Sequence, residues 1–216
     1  MRTDIPPANI RSRDIVPLVR GVLFRWSPTV EATEQAIRFA DELEKEKAGL
    51  YEDTSQGGLK AWMDACYGKI GEWAVFYMLR TAGIVLNPPE DVIRGRRVFT
   101  PDLRYVFGGR QCALHVKTQT VASENRYDQA AWVWQAGSTA KRRDPLLDHY
   151  DQDDYFVGCT FDEYEGVVHV RTCVTLGFLH RYELFVTKKV IPKHRGQKVV
   201  VRLIDIFDKM EESRGR

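Results

Sequence analysis

The alternation of apolar and polar residues predicts two long helices and six short strands. Val30 to Leu50 carries apolar residues at helical spacing behind Ser27-Pro28-Thr29, a helix-start signal, and closes at Ala48-Gly49. A second helix is expected from about Leu59 to Thr81, stopped by Gly83. It is apolar nearly all round, with Ile70, Trp73, Ala74, Tyr77 and Met78 on one side and Val75, Phe76 and Leu79 on another. A helix of that kind belongs in the middle of a domain. Val98–Phe107 and Arg110–Thr120 read as extended runs joined by Gly108-Gly109. Two glycines between alternating runs signal a hairpin, because both central residues can adopt positive φ. Further strand-like runs cover Ala131–Gln135, Tyr155–Thr160, Val167–Val174 and Lys198–Ile204, with short helical patterns near 175–182 and after 204. The expected class is α/β or α+β, a central mixed β-sheet flanked by helices.

Residues 26–216 fit one domain. Residues 1–25 lack periodicity and read as an arm, whose Arg11, Arg13, Arg20 and Arg25 could touch a phosphate backbone or be solvated. Hydrophobic residues make up 44% and charged residues 29%, an ordinary balance for a globular chain. The net charge of +2 announces no polyanionic partner, although a local basic stripe suffices to bind phosphates. No apolar stretch approaches a membrane span and the start has no signal-peptide core, so a cytoplasmic location without a membrane partner is expected. Cys66, Cys112, Cys159 and Cys173 form no C-x-x-C pair and read as small buried hydrophobes.

The hairpin concentrates the chemistry. With a two-residue turn at Gly108-Gly109, every cross-strand pair sums to 217, which sets Asp102 opposite His115. Period-two alternation puts Ala113, His115, Lys117 and Gln119 on one face and Cys112, Leu114, Val116 and Thr118 on the core side. Asp102 and Arg104 share the polar face, so a carboxylate, an imidazole, an ammonium and an amide gather on one surface. Directly opposed side chains have Cβ atoms about 5 Å apart, close enough to share an ion. On the preceding helix Glu72 lies in line with Phe76 and Leu79. A buried carboxylate there requires a cation, a metal or a strong donor. The alternatives for Glu72 are an exposed helix end or a pair with Lys69.

Gly71-Glu72 on the helix, Pro101-Asp102 opening the hairpin and His115-Val116-Lys117 on its return strand resemble the PD-(D/E)-x-K nuclease superfamily, which includes restriction endonucleases, Holliday-junction resolvases and phage nucleases. The resemblance covers residues 68–120 and implies a restriction-endonuclease-like core that cuts DNA with Mg²⁺ or Mn²⁺. It implies Glu72, Asp102, His115 and the Val116 carbonyl as metal ligands and Lys117 as the residue that orients or deprotonates the attacking water. Gln119 and Gln135 would hydrogen-bond that water or a phosphate oxygen. Where the family has Asp or Glu, this chain has His115. A neutral nitrogen ligand favours Mn²⁺ over Mg²⁺, or else the site has lost its activity and the chain keeps only DNA binding.

Arg94, Arg96 and Arg97 precede the hairpin, and Lys141, Arg142 and Arg143 follow it as a second basic cluster. Lys188-Lys189 and Lys193-His194-Arg195 are further basic clusters. They are phosphate contacts if they flank the site and solvated loops otherwise. Trp132 and Trp134 favour core packing over base stacking. Asp148, Asp151, Asp153 and Asp154 lack calcium-loop spacing and read as a polar loop, and His169, His180 and His194 receive no role. A homodimer would suit cleavage of both strands.

Overall fold

The structure, a computed structural model, describes residues 23–47, 58–84, 86–90, 101–107, 110–127, 129–136, 144–188 and 198–214. Helix α1 spans Val30–Lys47, and its first turn is capped by Thr29, whose Oγ1 accepts from Ala32 N at 3.2 Å. Helix α2 spans Gly58–Thr81 and ends at Gly83, where φ is +80°. The strands are β1 Phe24–Trp26, β2 Leu103–Phe107, β3 Arg110–Thr120, β4 Ala131–Gln135, β5 Tyr155–Asp162, β6 Val167–Thr175, β7 Val186–Lys188 and β8 Lys198–Arg202. Helix α3 is Val121–Tyr127, α4 Leu176–Arg181 and α5 Leu203–Arg214. No helix among the described residues is long and apolar enough to cross a membrane.

The class expected from the pattern is present: a five-stranded mixed sheet, in the order β1-β6-β5-β3-β2, with helices against it. Its one parallel pairing joins β3 to β5. The hairpin register is the expected one, from Phe107↔Arg110 to Leu103↔Leu114. A second, three-stranded sheet in the order β4-β8-β7 was not foreseen. Three boundaries also differ. Strand β1 uses Phe24 and Arg25, which had read as arm, and residues 1–22 lie outside the described residues. Of the run 98–107 the described strand begins at Leu103. The run at 198–204 gives way to α5 at Leu203, because Leu203, Ile206 and Phe207 recur at helical spacing and are all buried.

Two apolar cores flank the main sheet. The first contains Ala32, Ala36 and Ala40 of α1, much of α2, and Leu103, Leu114, Val116, Val157 and Cys159. The second contains Trp132 and Trp134 of β4, Val199 and Val201 of β8, Phe156 and Val174, and residues of α4 and α5. The face of β3 that carries His115 therefore meets a second core instead of solvent, and His115 is only 3% exposed. Parallel pairing explains why. His115 stands beside Phe156 and Lys117 beside Gly158, and the tryptophans of the second sheet close over these positions. Both tryptophans are core residues, as their alternation implied. The four cysteines are free, and burial pushes the Cys173 thiol up to about 12.

Helix α2 lies close against β3 because residue 71 has no side chain. A Cβ on Gly71 would fall 1.9 Å from Thr118 Oγ1. In an open helix Gly→Ala stabilises by about 1 kcal/mol, whereas overpacking a tight contact costs about 1–3 kcal/mol. Gly71→Ala should therefore destabilise the protein in urea unfolding, and Thr118→Ala should restore most of the loss. If Gly71→Ala proves stabilising in the wild-type background, α2 does not approach the sheet this closely.

Candidate metal centre

Asp102 sits just ahead of β2, where the hairpin ladder ends. Its backbone N–H donates to Leu114 O at 3.0 Å, and its Oδ2 accepts the Val116 N–H at 2.7 Å. The residue thus brackets the backbone of His115. The regular Cα pairing stops one residue short at Leu103↔Leu114, so Asp102 reaches β3 through its side chain. In a strand the N–H and C=O of one residue point to the same side. The Val116 carbonyl therefore turns toward the Asp102 side of the strand.

Electrostatics separate the two central groups. Burial pushes the Asp102 carboxyl up, and the Val116 N–H with the nearby charges of Lys117 and Lys69 pulls it partly back. Burial pulls His115 down, opposed by the carboxylates of Asp102 and Asp154. A histidine held neutral is in the form that binds a metal. Carboxylate, imidazole and carbonyl are a donor set that fits a divalent ion such as Mn²⁺.

Two acids that had not been assigned to the site lie in it. Asp154 Oδ2 stands 3.7 Å from His115 Nε2, and its Oδ1 accepts the Ala113 N–H at 3.0 Å. Residues 151–154 form the polar loop expected ahead of the strand at Tyr155. Asp144 Oδ2 lies 3.2 Å from Lys117 Nζ, and its Oδ1 accepts the Leu146 N–H at 3.1 Å. Lys117 Nζ also stands 5.7 Å from the centroid of the Trp134 ring.

Glu72 pairs with Lys69 at 2.7 Å, one of the alternatives the helix pattern left open. Lys69 is 5% exposed, donates to Glu90 O at 2.8 Å and lies over the Phe39 ring. Glu72 is therefore paired with a buried cation whose charge also acts on the Asp102 carboxyl. The Gln119 amide is engaged at both ends, donating to Glu124 Oε1 at 2.9 Å and accepting from Ala131 N at 3.2 Å. Thr160 Oγ1 donates to the same Glu124 oxygen, and Arg171 lies 3.9 Å from the other. Gln119 thus ties α3 and β4 to the sheet. Gln135 is in β4 opposite Lys198. Arg94, Arg96, Arg97, Lys141, Arg142 and Arg143 lie outside the described residues.

Among the described residues, three ligand atoms lie within 4.8 Å of one another at Asp162, Glu165 and His169, not at Asp102 and His115. At that cluster the fold already employs both acids. Asp162 Oδ1 accepts the N–H groups of Tyr164 and Glu165, and Glu165 pairs with Arg25 at 2.6 Å. No family model, curated protein or solved structure matches the chain.

The raised Asp102 carboxyl has a consequence for stability. A group whose folded pKa lies above its unfolded value loses stability as pH rises from the unfolded value through the folded one. In metal-free protein at neutral pH, Asp102→Asn should keep the Val116 bond, remove that penalty and raise Tm. A lower Tm for the variant in EDTA at pH 7 would contradict this assignment.

Proposed function

We propose that the chain is a metal-dependent DNA endonuclease with a restriction-endonuclease-like core, hydrolysing phosphodiester bonds at Asp102, His115 and Lys117. The observation that carries the reading is the Asp102 carboxylate held on the Val116 N–H, with a lysine and a neutralised histidine beside it. Chain order supports it as well: a helical Glu72 precedes the hairpin, the aspartate opens β2, and the lysine follows two residues after His115 on β3.

A Mg²⁺ or Mn²⁺ ion bound there would supply Lewis-acid charge and acidify a coordinated water. Asp102, His115 and the Val116 carbonyl are the groups that would hold it. Lys117 sits on the same face of β3 and is about one-third exposed, so its ammonium can meet a phosphate oxygen or orient the attacking water. Hydrolysis forms one P–O bond from that water and breaks the P–O bond to the leaving oxygen, which takes up a proton. Glu72 acts through Lys69, keeping a positive charge near Asp102.

The second reading is a non-catalytic DNA-binding protein that has kept the fold. Among the described residues no three-donor cluster closes at Asp102 and His115, which favours it. Plasmid nicking in Mg²⁺, Mn²⁺ and EDTA separates the two. The nuclease reading expects cleavage in Mn²⁺, weaker cleavage in Mg²⁺ and none in EDTA. Asp102→Ala and Lys117→Ala should each lower the rate by at least about 10²-fold with the fold intact, and His115→Glu should shift the preference toward Mg²⁺. DNA binding without cleavage in any metal would establish the second reading.

A further inference from the structure

We propose that Arg104 is a phosphate-binding residue, gripping the backbone of a DNA strand that lies along the open edge of the hairpin and meets Lys117 further on. The inference rests on the DNA reading above, names a contact for that partner, and does not depend on a metal ion.

Arg104 stands in β2 between Leu103 and Tyr105, both of which are buried in the first core. Its own side chain therefore leaves the sheet on the other face. The register sets it directly opposite Ala113, and alternation along β3 puts Ala113, His115 and Lys117 on that same face. At His115 the face is closed by the second core. At β2, the edge of the sheet, it is open: Arg104 is exposed, and so is Val106, the next residue on that face. The candidate site thus has an open side with a guanidinium on it.

That guanidinium is uncommitted. Lys117 has Asp144 at 3.2 Å, Lys69 has Glu72 at 2.7 Å and Arg110 has Asp153 at 3.4 Å. Arg104 makes no hydrogen bond or ion pair among the described residues. Asp154 bonds the Ala113 N–H from the β5 side of the strand, away from β2. A guanidinium presents its N–H donors in a planar fork that matches two phosphate oxygens. Arg104 and Lys117 flank Asp102 and His115, at positions four residues apart along β3, about 13 Å. A DNA strand carries one charge per about 3.4 Å of helix axis, so one strand can offer a phosphate to each cation.

The test is binding of full-length protein to a fluorescein-labelled DNA duplex, followed by anisotropy in EDTA over a series of KCl concentrations. Each neutralised phosphate contributes about −0.9 to the slope of log K against log salt. Wild-type protein should bind, and Arg104→Ala should reduce the steepness of that slope by about 0.9 and weaken binding at least about threefold at low salt. Arg104→Lys should keep the wild-type slope, because an ammonium still neutralises a phosphate. Lys209→Ala, on α5 and paired with Glu212, should bind within twofold of wild type. If wild-type protein binds and Arg104→Ala shows an unchanged slope, this arginine only charges the edge of the sheet, and the proposal falls while the DNA reading stands. Wild-type protein that does not bind in EDTA also overturns the proposal, and plasmid nicking then decides the DNA reading by itself.

Discussion

The middle of strand β3, from Leu114 to Val116, is buried on both faces, and the rest of the molecule is arranged around that constraint. Leu114 and Val116 point into the core under α2, while His115 and Lys117 point toward Phe156, Trp132 and Trp134. A strand buried on both faces is ordinarily a continuous apolar run. Here the run is broken at positions 115 and 117, and each polar group there has an acid beside it. Asp154 stands beside His115 and Asp144 beside Lys117, with Asp102 on the backbone between them. Desolvating these groups costs several kcal/mol before such partners are counted, which fold stability alone does not explain. Burial shifts two of them, pushing the Asp102 carboxyl up and pulling His115 down.

The helices and the hairpin were legible because their signals are local. Thr29 and Gly83 each act within a few residues, and the pairing from Phe107↔Arg110 onward follows the expected register. Asp102, His115 and Lys117 followed from that register. The environment of the same residues was not legible. The strand that covers one edge of β3 is parallel and distant, with Ala113 and Asp154 separated by 41 positions, and no turn residue announces such a pairing.

The same gap explains the partners that Gln119 and Glu72 take. Gln119 had the alternation of a site residue, but helix α3 brings Glu124 back onto it. Glu72 had the position of a ligand, but the geometry of one helical turn hands it to Lys69. The edge strands β1 and β7 span three residues each, too few for alternation to be visible. Periodicity tells which way a side chain points and says nothing about what will be opposite.

The parallel β3–β5 pairing also sets an order of events. A hairpin closed by two residues forms in about 1–10 μs, whereas a parallel strand delivered across a long crossover must first overcome loop-closure entropy. β2 and β3 can therefore associate while Asp102, His115 and Lys117 are still hydrated, and docking of β5 with the tryptophans of β4 removes that water afterwards. The step that completes the candidate site is the one its own charges oppose. Changes at these positions should then act mainly on the unfolding rate, the signature of contacts made after the transition state.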